Sequence, residues 1–380
     1  MFIKMFKNLL VILLVLGAHA PNTAICSDYI MFTSLFNKNI AYKFNMNSSG
    51  TITLNETFEV GSDAFFVTPS PNGRSVLITA GSEPYISSFF INKNRDVENI
   101  IFCNEYGNWN APAAFHTRRP WVFIGRYPVC RTYKISYNDN SLQSTENNVE
   151  LPAYPPEIWF SEWSSHLIFS DVSQSFIQSV GVNNEGEFTS FTKQLSLKPA
   201  AANNDLAVSH NGKWAAVLGS SDPEMSVVGI NKDGSLYLVE QWDFPGSEVT
   251  NPEMVRYTPD GNHLIMMNQG PHILLSFTVD QETGKLTENN WIWAPWTAPQ
   301  AMAITPDSKF LVVMETEPAG TQTTLRVLTI DENGYLTNLE DKYLVIEGFP
   351  SDMEFVPPWQ ETPFPQNGFM LYGQEEVPQQ

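Results

Sequence analysis

Apolar and polar positions along the chain follow short strand-like runs, with no sustained helical period. An apolar run enters a Thr/Ser-Pro-Asp/Asn-Gly-like turn and a second apolar run follows. After a gap come a third run, an Asn/Asp-Gly turn and a fourth run. The clearest copies are Met254–Thr258 before Pro259-Asp260-Gly261, Ala301–Thr305 before Pro306-Asp307-Ser308, and Leu206–Ser209 before His210-Asn211-Gly212. Runs such as Ile273-Leu274-Leu275-Ser276-Phe277-Thr278-Val279 and Thr324–Ile330 have the length and the β-branched and aromatic content of strands. The unit returns about every 47 residues, and a period of that size signals a repeat architecture.

First turns fall near Gly73, Pro120, Ser164, Gly212, Gly261 and Ser308, in steps of 44 to 49 residues. Second turns fall at Gly50, Gly186, Gly234, Gly284 and Gly334, with degenerate copies near Asp96 and Asn140. Tight hairpins favour glycine there because they need positive φ. Six turns of the first kind and seven of the second imply seven four-stranded units, one of them split. Tyr29–Val60 holds only three strands of its unit, and Met353–Val356 supplies the missing one. Joining the two ends closes a ring and removes an open sheet edge. The predicted fold is all-β, a seven-bladed β-propeller over residues 28–357 with a Pro/Gln-rich, mobile tail over 358–380.

Residues 1–20 stand apart. Lys4 and Lys7 precede the apolar Leu9–Leu16, and Ala18-His19-Ala20 offers a small-x-small cleavage site, the layout of a signal peptide. The run is too short to span a bilayer and no second one follows, so the mature chain is expected to be secreted or periplasmic, without a transmembrane segment. Lipidation at Cys26 is disfavoured by the large Ile25 before it. Export permits disulfides, and of Cys26, Cys103 and Cys130 the pair Cys103–Cys130 is the better placed, with free thiols the alternative.

The formal charge of −20, from 41 acidic and 21 basic residues, argues against nucleic acid as a partner, since phosphate binding needs Lys and Arg. Propellers gather ligands at the channel mouth, where the innermost strands begin. Those starts carry Asp63, Pro112, Glu157, Asp205, Glu253, Gln300 and Asp352, aligned to within about one position. Converging carboxylates suit a divalent cation such as Ca²⁺ or Mg²⁺, with Glu157, Asp205 and Glu253 the nominated ligands. Carboxylates merely pointing into water are the alternative. Tryptophans recur in the same loops: Trp109, Trp242, Trp291, Trp293 and Trp296. The alternating Trp291 and Trp293 are expected to pack between blades, and Trp296 to present a surface for a ligand. His166, His210 and His263 read as loop or surface histidines, and no nucleophile or phosphate-loop motif is present.

Thr258-Pro259-Asp260-Gly261-Asn262-His263-Leu264-Ile265, Thr305-Pro306-Asp307-Ser308-Lys309-Phe310-Leu311-Val312-Val313 and the Gly284-Lys285-Leu286 turn resemble the repeats of the seven-bladed lactonase family, which includes 6-phosphogluconolactonases and muconate-lactonising enzymes. The resemblance covers nearly the whole mature chain and implies a YVTN-type propeller. It also implies an active site built on Gly-Pro-Arg-His at the start of an innermost strand, followed by a Glu after the next strand. Here the counterpart is Ala298-Pro299-Gln300-Ala301 with Glu315, so only the Pro and the Glu remain. Losing the His removes a proton carrier near neutral pH, and losing the Arg removes the partner of an anionic substrate. The expected function is that of a monomeric binding module. Its acidic mouth and Trp-bearing loops would take a protein or a small neutral or cationic ligand. The alternative is a hydrolase of a neutral lactone or ester, with or without a metal, for which Glu157, Asp205, Glu253 and Glu315 are the candidates.

Overall fold

A computed structural model describes residues 29–361 except 36–37, 105–110, 140, 153–154, 156, 172–174, 198–202, 220–224, 244–251, 271, 294–297 and 318–320. Residues 1–20, expected from the sequence to be a signal peptide, and most of the tail therefore lie outside the described residues. Seven antiparallel sheets form a ring of blades, each with its first strand innermost. No helix occurs among the described residues, and none is long and apolar enough to cross a membrane. The innermost strands of blades 2 to 7 are Ala64–Pro69, Ala113–Phe115, Ile158–Ser161, Asn203–Val208, Pro252–Tyr257 and Ala298–Ile304. In blade 1 the order is Pro350–Phe355, Tyr29–Leu35, Ile40–Met46, Ile52–Glu59, so the two ends of the chain close the ring as expected. The closing strand begins three residues earlier than the pattern predicts, and Thr33 Oγ1 secures it by donating to the Asp352 carbonyl at 2.7 Å. Blade 4 has an extra short strand, Leu195–Ser196, beside Phe176–Val182.

The apolar faces of the middle strands pack between adjacent blades. One cluster joins Phe310, Val312, Met314 and Val327 of blade 7 to Phe44, Met46 and Ile52 of blade 1. A second device repeats at the rim. The first residue of the second strand lays a ring against the second-turn glycine of the next blade: Trp121 on Gly186, His166 on Gly234, Trp214 on Gly284, His263 on Gly334 and Phe310 on Gly50. Hydroxyls of the third strand then donate to the same glycine carbonyls, Thr132 to Gly186 at 2.9 Å and Ser276 to Gly334 at 2.6 Å. His166 and His263 are thus seam residues, and His263 is buried, contrary to the expectation of surface histidines.

The turn reading holds where it is described: Gly50, Gly73, Gly186, Gly212, Gly234, Gly261, Gly284, Gly334 and Ser308 all have positive φ. Cys103 and Cys130 are not bridged to each other. Cys130 faces the seam between blades 3 and 4, among Phe123, Ile158 and Phe169, whereas Cys103 packs with Ile86 and Tyr133 at the seam before it. The chain stays ordered past Pro357. Trp359 Nε1 donates to the Ile91 carbonyl at 3.1 Å, and the Trp359 ring lies 5.5 Å from the Arg74 guanidinium.

Candidate functional site

Each innermost strand ends at a first turn whose leading residue is Ser70, His116, Ser161, Ser209, Thr258, Thr305 or Val356. Counted back from there, Pro112, Glu157, Asp205 and Asp352 stand four residues before the turn, Glu253 and Gln300 five, and Asp63 seven. The seven starts are therefore not in one register. Asp63 is exposed, at positive φ, outside the strand that follows it. A β-bulge explains the offset of Glu253 and Gln300. The ladder between first and second strands skips Phe65, Asn204, Glu253, Gln300 and Ser351, always five before the turn. An unpaired bulge residue is re-aimed relative to its neighbours. The five-before position, where Gln300 replaces the signature Arg, is such a residue.

At three junctions the four-before side chain bolts one innermost strand to the next. Asp205 Oδ2 accepts the Val255 N–H at 2.7 Å, and Asp352 Oδ2 accepts the Val67 N–H at 2.8 Å. Met254 does the same with sulfur, accepting the Met302 N–H at 3.3 Å. Buried backbone donors need such acceptors, so these two carboxylates have a structural task.

At their centre sits Arg256, two residues before its turn and buried. Nη1 donates to Asp205 Oδ2 at 2.8 Å and to the Val255 carbonyl at 2.9 Å, and Nε donates to Glu354 Oε1 at 3.3 Å. Nη2 stands 3.9 Å from Glu157 Oε1, and the guanidinium lies 5.9 Å from the Trp159 ring. Burial disfavours the Arg256 charge, but Asp205, Glu354, Glu157 and Asp352 more than restore it and hold its pKa up. Burial drives Glu157 well above the carboxylate range against the pull of Arg256, and raises Asp205 despite Arg256 and the Val255 N–H. It brings Asp352 to about 8, with the Glu354 charge adding to the rise, and Glu354 to about 6. Glu157, Asp205 and Asp352, joined by Glu354, gather around an arginine, whereas Asp63 and Glu253 do not. Among the described residues no group of three or more His, Cys, Asp or Glu side chains is placed to hold a metal ion.

Above this floor is a cavity of about 340 Å³ lined by all seven innermost strands. Its walls are apolar, with Phe66, Phe115, Trp159, Phe160, Ile304 and Phe355, and Pro71, His210, Pro259 and Pro306 of the first turns form its rim. The cavity thus lies toward the first-turn end of the channel, opposite the mouth where the strands begin.

At that other end, Glu315 is 1% exposed. Its Oε2 accepts from Arg326 Nε at 2.8 Å and its Oε1 has no hydrogen-bond partner among the described residues. Burial lifts its pKa to about 7, with Arg326 opposing. Glu253, half-buried on its bulge, also rises to about 7, through burial and then the Asp205 charge. Trp291 is 47% exposed rather than packed between blades. Trp242 instead packs edge-on against Phe277 at 5.2 Å. Trp109, Trp296 and the Trp293 side chain lie outside the described residues.

Sequence reasoning missed Arg256, Glu354 and Trp159. The available signal was a charged residue inside an apolar innermost strand, Val255-Arg256-Tyr257 and Met353-Glu354-Phe355, which burial obliges to find a partner.

The structure is similar to several solved propellers. A proposed 6-phosphogluconolactonase of Bacteroides fragilis superposes with a TM-score of 0.70 at 17% identity, over 87% of this chain and 98% of that one. A Bacteroides uniformis protein with the same proposed activity gives 0.71 at 16%, over 87% and 100%. The periplasmic gluconolactonase of Pseudomonas aeruginosa gives 0.66 at 15%, over 86% and 99%. At these identities the likeness speaks for the fold. No curated protein sequence matches the chain. The family described as Lactonase, 7-bladed beta-propeller, matches residues 32–349, and the chain belongs to that family.

Proposed function

We propose that this member of the lactonase propellers is an exported, monomeric binding protein that takes a small organic ligand into its central channel. The observation that carries this reading is the cavity of about 340 Å³, apolar in its walls and charged at its floor, within the size range of small-molecule sites. Loss of the signature His and Arg at Ala301 and Gln300 supports binding over the family's turnover of anionic lactones. Residues 1–20 support work outside the cytoplasm. The test is a thermal-shift screen of small aromatic and aliphatic compounds against the mature chain, repeated with Ala114→Trp, which fills the cavity from its wall. Ligand-induced shifts abolished by that substitution support the reading. Shifts that survive it place the ligand elsewhere.

A second reading has one observation in its favour. Glu315 is buried, keeps one oxygen without a partner among the described residues, and titrates at about 7, the range suited to a general base. A neutral lactone or ester hydrolysed at the strand-start end would use it, with Glu253 nearby in sequence register as the second carboxyl. A lactone panel assayed with and without Ca²⁺ or Mg²⁺ decides the matter: turnover abolished by Glu315→Gln favours the hydrolase, and an inactive panel leaves the binding protein.

A further inference from the structure

We propose that the channel cavity is a site for an organic primary amine, an ammonium group carried on a flat apolar body and admitted from the first-turn end. The inference rests on the reading that the channel takes a small ligand, and it names the class.

Four carboxylates surround one guanidinium at the cavity floor, but their lone pairs are not equally committed. Asp205 is engaged by Arg256 and the Val255 N–H, and Asp352 by the N–H groups of Val67 and Met353. Glu157 and Glu354 remain. Glu157 meets Arg256 only at 3.9 Å, too long for a hydrogen bond, and has no hydrogen-bond partner among the described residues. Glu354 has a single contact at 3.3 Å. Both line the cavity, and the other basic side chain, His210 at its rim, has its pKa lowered by desolvation against the pull of Asp260. Burial keeps the proton on Glu157 while the cavity is empty. An ammonium group completes this floor by favouring the ionised form, that proton passing to solvent, whereas a carboxylate or phosphate would add negative charge beside Glu354 and Asp205.

The walls decide between a metal ion and an amine. Hard divalent ions need six or more oxygen ligands for Ca²⁺ and an octahedron for Mg²⁺, and the cavity above Glu157 and Glu354 is aromatic instead. An ammonium group needs only three acceptors. It is also attracted to ring faces, as the Arg256 guanidinium beside Trp159 already illustrates. Trp159 adds a separate indication of a ligand: its Nε1–H is buried without an acceptor among the described residues, and the residue lines the cavity. Phe66, Phe115 and Phe355 supply the surfaces on which a flat body stacks. This site opens at the first-turn end of the channel, and its floor residue Glu157 stands at a strand start, one register position from where Gln300 replaces the signature Arg.

Calorimetric titration of the mature protein at pH 7 with tryptamine, N-acetyltryptamine and indole-3-propionate tests the class, since the three share one ring system and differ in charge. Tryptamine is expected to bind at least about tenfold more tightly than the neutral amide, and the anion not measurably. Glu157→Gln is expected to weaken tryptamine about tenfold and leave N-acetyltryptamine unchanged, because only the ammonium uses that carboxylate. Glu354→Gln serves the same purpose should the first variant fail to fold, and circular dichroism checks both. Equal binding of amine and amide, or tighter binding of the anion, overturns the ammonium class and leaves the channel reading intact. Silence toward all three overturns the class as well. It overturns the channel reading too only if the wider screen also yields no shift abolished by Ala114→Trp.

Discussion

Replacing Arg256 with methionine removes the charge that Asp205, Glu354 and Glu157 share, and leaves those carboxylates buried without a counterion. Breaking a buried ion pair from one side costs about 3–5 kcal/mol, because the abandoned charge is then desolvated for nothing. Arg256→Met is therefore expected to lower the unfolding free energy, read from urea titration, by that order. Arg256→Lys is expected not to restore it, since an ammonium cannot reach Asp205, Glu354 and the Val255 carbonyl as the guanidinium does. Glu157 provides the contrast within the same cluster. Its contact with Arg256 is long, so Glu157→Gln is expected to change stability by less than about 1 kcal/mol. A loss from Glu157→Gln as large as that from Arg256→Met would mean that the floor is one structural unit and that Glu157 is not held in reserve for a ligand.

Between blades, the ring-on-glycine contact should be measurable apart from turn geometry. Gly234 and Gly261 have almost the same φ, +80° and +78°, so a side chain strains the backbone alike at both, by about 1–2 kcal/mol. They differ in surroundings. A Cβ at Gly261 meets only Gln281, at 3.5 Å, whereas one at Gly234 lands on the ring of His166 from the neighbouring blade. Gly234→Ala is thus expected to cost at least about 1 kcal/mol more unfolding free energy than Gly261→Ala in urea titration, since overpacking adds to the strain. Equal losses would remove the seam from the account. The same comparison marks what was legible in the chain. Turns and strand count could be read because glycine at positive φ and the flanking apolar runs are local signals. Ring closure could be read because a spare strand at one end matched a missing one at the other. The bulge five residues before five of the seven first turns leaves no local mark, as Phe65, Asn204, Glu253, Gln300 and Ser351 share no chemistry. Asp63 was misplaced for that reason. Arg256 was passed over because its partners lie 51 and 98 residues away.

For the ring as a whole, burial of so many carboxyls ties stability to pH with a definite sign. Glu253 and Glu315 titrate at about 7 against 4.5 for the free group, and Asp352 at about 8 against 3.8. Below the unfolded values both states hold these protons, and the stabilisation from folded-state protonation is complete. As pH rises toward the folded values the native protein retains protons that the unfolded chain has released, so stability falls. His116, lowered to about 4 by burial and then by Arg119 and Arg118, works in the opposite direction, but only up to about 6.5, the ordinary value of a free histidine. His210, lowered by burial, also has its effect below that value. From pH 6.5 to 8 the raised carboxyls are therefore expected to dominate, and the melting temperature should decline across that window. The formal charge of −20 would push the same way through self-repulsion, so the scan belongs in about 0.5 M salt, where long-range surface repulsion is screened. The double variant Glu253→Gln, Glu315→Gln should flatten the decline without abolishing it, because Asp352 still titrates. A melting temperature that stays level or climbs from pH 6.5 to 8 in the parent protein would show that these carboxyls are solvated and ionised in the native ring, and the buried proton-holding floor would have to be given up.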